Sequence, residues 1–94
     1  MMYEAFAGVY DALMAQVDYR GWADYYLSLC ERSGVTVRRA ADAACGTGSL
    51  TVELAARGVT MTGLDLSMDM LSVASEKARN RGMQIPFVRQ DMRR

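Results

Sequence analysis

The stretch Asp42-Ala43-Ala44-Cys45-Gly46-Thr47-Gly48 decides how this sequence folds. On propensity the alanine-rich run 39–44 leans towards helix, because alanine is a strong helix former and a weak strand former. Position argues for a strand over 35–44. The run ends in Gly46-Thr47-Gly48, and a clearer helical pattern starts at Ser49 and continues to Arg57, with Gly58 as its stop. Glycines at such a junction let the backbone turn tightly and bring its N–H groups near a ligand. The helix from Ser49 aims its partial positive charge at the same point, which favours a carboxylate or phosphate. A lone Gly-x-Gly describes an ordinary strand–helix turn equally well, so the weight falls on what surrounds it.

Downstream, Val59-Thr60-Met61-Thr62-Gly63-Leu64 alternates β-branched and apolar residues and reads as a second strand ending in Asp65. Ser67 is placed to cap the next helix, and Asp69 suits its first turn. Met70, Leu71, Ala74 and Ala78 recur at helical spacing as its buried stripe, with Lys77, Arg79, Asn80 and Arg81 assigned to solvent and Gly82 as the stop. Ile85, Phe87 and Val88 make a third strand, which Pro86 marks as an edge and which ends in Gln90-Asp91. Two strand–helix–strand units in succession predict an α/β fold with a parallel sheet in the order 3-2-1 and crossover helices.

Upstream, Phe6, Val9, Tyr10, Leu13 and Met14 form a helical pattern over 3–14, and Asp18 is a candidate N-cap for a second helix. Trp22, Tyr25, Tyr26, Leu29 and Cys30 then recur at i, i+3, i+4, i+7 and i+8, a stripe expected to pack into the core. Ser33-Gly34 closes that helix.

Composition narrows the function. Ninety-four residues make one small domain, and 11 basic against 11 acidic residues leave no net charge. That balance argues against a nucleic-acid partner or an anionic membrane surface. No apolar run is long enough to span a bilayer. The absence of histidine excludes Ser-His-Asp and Cys-His catalysis and histidine-ligated zinc within these residues. Cys30 and Cys45 lack metal-ligand spacing, so no metal is expected, and they are too few for a disulfide framework. Free thiols, with no basic-plus-apolar leader at the N-terminus, point to the cytoplasm.

Three carboxylates are expected at the carboxyl ends of the three strands, the edge where open α/β sheets bind ligands. Asp42 opens the glycine loop. Asp65 lies where a carboxylate can accept from both hydroxyls of a ribose. Asp91 is placed to accept from an exocyclic amine such as adenine's.

Taken together, Asp42-Ala-Ala-Cys-Gly-Thr-Gly48, Gly63-Leu-Asp65-Leu-Ser67-Met-Asp-Met-Leu71 and Arg89-Gln-Asp91-Met92 resemble successive motifs of the Rossmann-like S-adenosylmethionine (SAM)-dependent methyltransferases. Tyr3-Glu-Ala-Phe6-Ala-Gly-Val-Tyr10-Asp11 is similar to the N-terminal helix of a bacterial small-molecule branch of that family. The resemblance covers nearly the whole chain. It implies an N-terminal helical cap over 1–34 and the N-terminal half of a SAM-binding domain over 35–94, cut after the third strand. It further implies that Ala44, Cys45, Gly46, Thr47 and Gly48 pass beneath the methionine part of SAM and that Asp42 orients its ammonium group. Asp65 would hold the ribose, Leu66 and Met68 would flank the adenine, and Asp91 and the Met92 N–H would read its edge. Tyr10, with Tyr3, would close the pocket. Cys45 reads as a small packed side chain rather than a nucleophile, and no catalytic residue is assigned.

On this reading the chain is the SAM-binding part of a methyltransferase for a small-molecule acceptor, inactive by itself. Acceptor residues in the family lie beyond the third strand. The exposed edge of the first strand is expected to drive self-association or domain swapping. Two alternatives stand beside it. A nicotinamide-dinucleotide oxidoreductase would need a third glycine where Thr51 stands. A non-catalytic nucleoside-binding or assembly module would need no acceptor site at all.

Overall fold

A computed structural model describes residues 17–91; the expected helix over 3–14 and the residues Tyr3, Tyr10 and Met92 lie outside this range. Six elements follow one another: α1 (Tyr19–Arg32), β1 (Arg39–Ala43), α2 (Ser49–Ala56), β2 (Thr60–Asp65), α3 (Met68–Asn80) and β3 (Phe87–Arg89). The strands form a parallel sheet in the order β1-β2-β3, with Arg39 opposite Thr60 and Leu64 opposite Val88, as the two crossover units predict.

Local chemistry sets the boundaries. The Asp18 carboxylate accepts from the Gly21 N–H at 2.8 Å and starts α1; the Ser67 hydroxyl accepts from the Met70 N–H at 3.2 Å and starts α3. Gly34, Gly58 and Gly82 follow the three helix ends with positive φ. Pro86 precedes β3 at the sheet edge, where its carbonyl accepts from the Gly63 N–H at 2.9 Å.

Two expectations need correcting. The first strand is shorter than 35–44 and spans only Arg39–Ala43. Its register with β2 starts at Arg39, and β2 itself starts at Thr60, so Arg38 contributes only a carbonyl, which accepts from the Thr60 N–H at 2.8 Å, and residues 35–37 have no ladder to join. The aromatic stripe of α1 is not core: Trp22 is 59% exposed, Tyr25 52% and Tyr26 45%. The helix instead turns Ala23, fully buried, towards α2, with Leu27 one turn on packed against the same cluster. A small residue lets two helices approach closely, and here that contact fixes the rotation of α1.

The core is Ala23, Leu54, Val59 and Met61, with Ala40, Leu50 and Ile85 packed around it. Beside it, α3 buries Leu71, Ala74 and Ala78 as its spacing requires. An ionic knot holds the three helices together. Glu53 of α2, 9% exposed, meets Arg57 at 2.9 Å and Arg81 at 2.8 Å, while Arg57 also meets Asp24 of α1 at 2.6 Å. Among the described residues no helix is long and apolar enough to cross a membrane.

Candidate functional site

The site begins where β1 ends. Ala44 takes φ 56°, a left-handed conformation that costs a residue with a Cβ about 1 kcal/mol. The strand's direction is broken there, and the Cys45 N–H turns to the Leu64 carbonyl at 2.9 Å. Gly46 (φ 57°) and Gly48 (φ 80°) continue the turn, and the Gly48 N–H closes it on the Cys45 carbonyl at 3.0 Å. Gly48 is required twice over. Its φ is positive, and a Cβ there would lie 2.8 Å from the Ala74 Cβ of α3. Its missing side chain thus serves the packing of α3.

Asp65 fastens this loop to the sheet. One carboxylate oxygen accepts from the Gly46 N–H and the other from the Ser67 N–H, both at 2.9 Å. Each oxygen has a second lone pair, so the group retains capacity for further donors. Asp42, half-buried, accepts from the Thr51 hydroxyl at 2.6 Å. The Cys45 thiol is pushed up to about 12, first by burial and then by the Asp42 and Asp65 charges. It is therefore a thiol at neutral pH and not an activated nucleophile. Thr47 is buried, and its hydroxyl receives the Lys77 ammonium at 3.3 Å; the same ammonium reaches the Ser49 hydroxyl at 2.9 Å.

The structure thus brings Asp42, the loop from Ala44 to Gly48, and Asp65 into one constellation. Leu66, 48% exposed, and half-buried Asp91 share a cavity of about 590 Å³ with Arg89 and Gln90. Met68, 58% exposed, is not in that cavity; it lines a neighbouring one of about 390 Å³. Among the described residues no cluster of Cys, Asp and Glu could hold a metal ion.

Two residues escaped the sequence reading. Thr51 counted only as an absent glycine, yet it is fully buried and holds Asp42. Its place three residues after Gly48, in the first turn of α2, was the available signal. Lys77 was assigned to solvent, but it is half-buried and reaches the glycine loop. It stands at i+3 from buried Ala74, and a lysine stem can run along an apolar face with its charge at the end.

Comparison with known proteins bears on this arrangement. Residues 40–94, which contain the whole constellation, match the family model described as a methyltransferase domain. The chain belongs to that family. It is 41% identical over 93 residues to the inferred methyltransferase YqeM of Bacillus subtilis (strain 168), covering 99% of this chain and 36% of that protein. Among solved structures it resembles an S-adenosylmethionine-dependent methyltransferase from Clostridium acetobutylicum ATCC 824, with TM-score 0.77 and 37% identity over 97% of this chain and 37% of that one. It also resembles the magnesium protoporphyrin IX methyltransferase of Synechocystis PCC 6803 solved with bound S-adenosylhomocysteine (SAH), with TM-score 0.60 and 31% identity over 77% of this chain and 35% of that one. The chain thus spans little more than a third of the length of such relatives, while nearly all of it is matched by them.

Proposed function

We propose that this chain is the SAM-binding part of a methyltransferase that acts on a small-molecule acceptor. The observation that carries the reading is the Asp65 carboxylate held between the Gly46 and Ser67 N–H groups, at the mouth of a turn built from Ala44, Gly46 and Gly48 in left-handed conformations. That donor and acceptor set fits the cofactor. Asp65 has lone pairs for a ribose diol, Asp42 is aligned by Thr51 to meet an ammonium group, and Leu66 with Asp91 offers an apolar flank and an acceptor for an adenine.

Bound SAM supplies an activated methyl group on a sulfonium, so the transfer is a displacement that depends chiefly on geometry. The residues of this chain hold and orient. Thr51 fixes the Asp42 carboxylate, Asp65 fixes the loop, and the Cys45 thiol stays protonated near them and takes no part. The chain spans little more than a third of its relatives' length, and in this reading it binds the cofactor without turnover by itself. The free thiols of Cys30 and Cys45 suit a reducing cytoplasm.

Calorimetric titration with SAH, with NADH run beside it, tests this. Binding of SAH at micromolar to submillimolar concentration is expected, falling ~10-fold or more in Asp65→Ala while the thermal transition persists. Binding of NADH without SAH would overturn the reading in favour of a dinucleotide enzyme. The position of Thr51 at the third-glycine site and its bond to Asp42 argue against that outcome.

A further inference from the structure

We infer that Arg89 is a positioning residue for the nucleobase end of this site, acting through the Leu66 carbonyl; the inference rests on the cofactor reading above. The two peptides that flank Leu66 are held by three hydrogen bonds. The Asp65 carbonyl accepts from the Gln90 N–H at 2.9 Å, the Asp65 carboxylate accepts from the Ser67 N–H at 2.9 Å, and the Leu66 carbonyl accepts from Arg89 Nε at 3.1 Å. The first two continue the strand pairing and the start of α3. The third is additional: β3 is already in register with β2 through Phe87, Val88 and Arg89, so the sheet does not need it.

What the third bond controls is Leu66. That side chain is 48% exposed, so packing holds it on one side only and the orientation of its backbone sets the rest. Arg89 also stands between the two cavities at this end of the sheet and lines both, with Leu66 and Asp91 in one and Met68 in the other. Arg89 rather than Met68 therefore faces Leu66 and Asp91. The donor is Nε, and a lysine carries a methylene at that place in its side chain, so a lysine here keeps the charge without this bond.

A double-mutant cycle separates positioning from charge. SAH and adenosine are titrated into the wild-type chain, Arg89→Ala, Arg89→Lys, Leu66→Ala and the Arg89→Ala/Leu66→Ala pair, with thermal melts of each. Arg89→Ala and Leu66→Ala are each expected to weaken both ligands ~10-fold, and the pair no more than ~10-fold, because the second change removes what the first already disabled. Arg89→Lys is expected to bind as weakly as Arg89→Ala, with melting unchanged throughout. A loss of ~100-fold in the pair, or full affinity in Arg89→Lys, would overturn the inference and leave the cofactor reading intact. No binding of either ligand by the wild-type chain would overturn both.

Discussion

Gly48 and Gly82 both have positive φ, at 80° and 70°, but only one of them is crowded. A Cβ on Gly82 meets nothing within 4 Å, whereas one on Gly48 falls 2.8 Å from the Ala74 Cβ and 3.6 Å from the Phe87 ring. The pair therefore separates conformational cost from packing cost. Gly82→Ala is expected to lose about 1 kcal/mol in urea denaturation, the strain of a left-handed alanine. Gly48→Ala adds the displacement of α3 and is expected to lose about 3 kcal/mol. Equal losses would mean that α3 yields freely at Ala74. The residue scale is also where the sequence was most legible. The caps at Asp18 and Ser67, the glycine stops and the run from Asp42 to Gly48 all depend on one side chain and its immediate neighbours. Thr51 and Lys77 were hidden because their roles depend on partners 9 and 30 residues away.

Among the elements, α2 holds the others through Glu53. Burial alone would raise the Glu53 carboxyl, but hydrogen bonds from Arg57 and Arg81 hold it below its ordinary value. Arg57 in turn keeps Asp24 low by a direct hydrogen bond. Because the folded group titrates below the unfolded one, the stabilisation is complete above the unfolded value of about 4.3 and is lost as the pH falls through the folded value. Wild type is expected to lose its advantage over Glu53→Gln on acidification below about pH 4, as read from thermal melts across that range. An unchanging difference would show that the knot contributes through shape alone. The orientation of α1 was the least legible feature at this scale. Its aromatic spacing is a sound sign of an apolar face, but helix periodicity cannot say which face meets a neighbour. Ala23, with almost no side chain, won because α2 lies so close.

At the scale of the molecule, β1 is the edge that matters. Thr60 donates to the Arg38 carbonyl at 2.8 Å, and with Arg39 opposite Thr60 the parallel register turns the N–H and C=O groups of Arg39, Ala41 and Ala43 away from β2. Beside this edge, Trp22, Tyr26, Ala40, Leu50 and Met61 line an apolar groove of about 470 Å³. Among the described residues nothing pairs with this edge, and an unpaired edge next to an apolar groove is a template for another strand. The isolated chain is therefore expected to self-associate at micromolar concentration, and sedimentation velocity would detect it. A well-folded monomer at that concentration would refute the expectation. The β-α-β order was readable from the alternation of patterns, and the parallel sheet followed from it; the short first strand was not, since its limits are set by where β2 begins.

The double hold of Asp65 on Gly46 and Ser67 has a consequence for how a ligand is received. A loop tied down at folding has already surrendered its conformational freedom, so binding need not bear that entropy again. The Gly46 and Ser67 amides should then be slow to exchange with solvent deuterium before any ligand arrives, and association should proceed in one kinetic phase, with the receptor waiting in its bound shape.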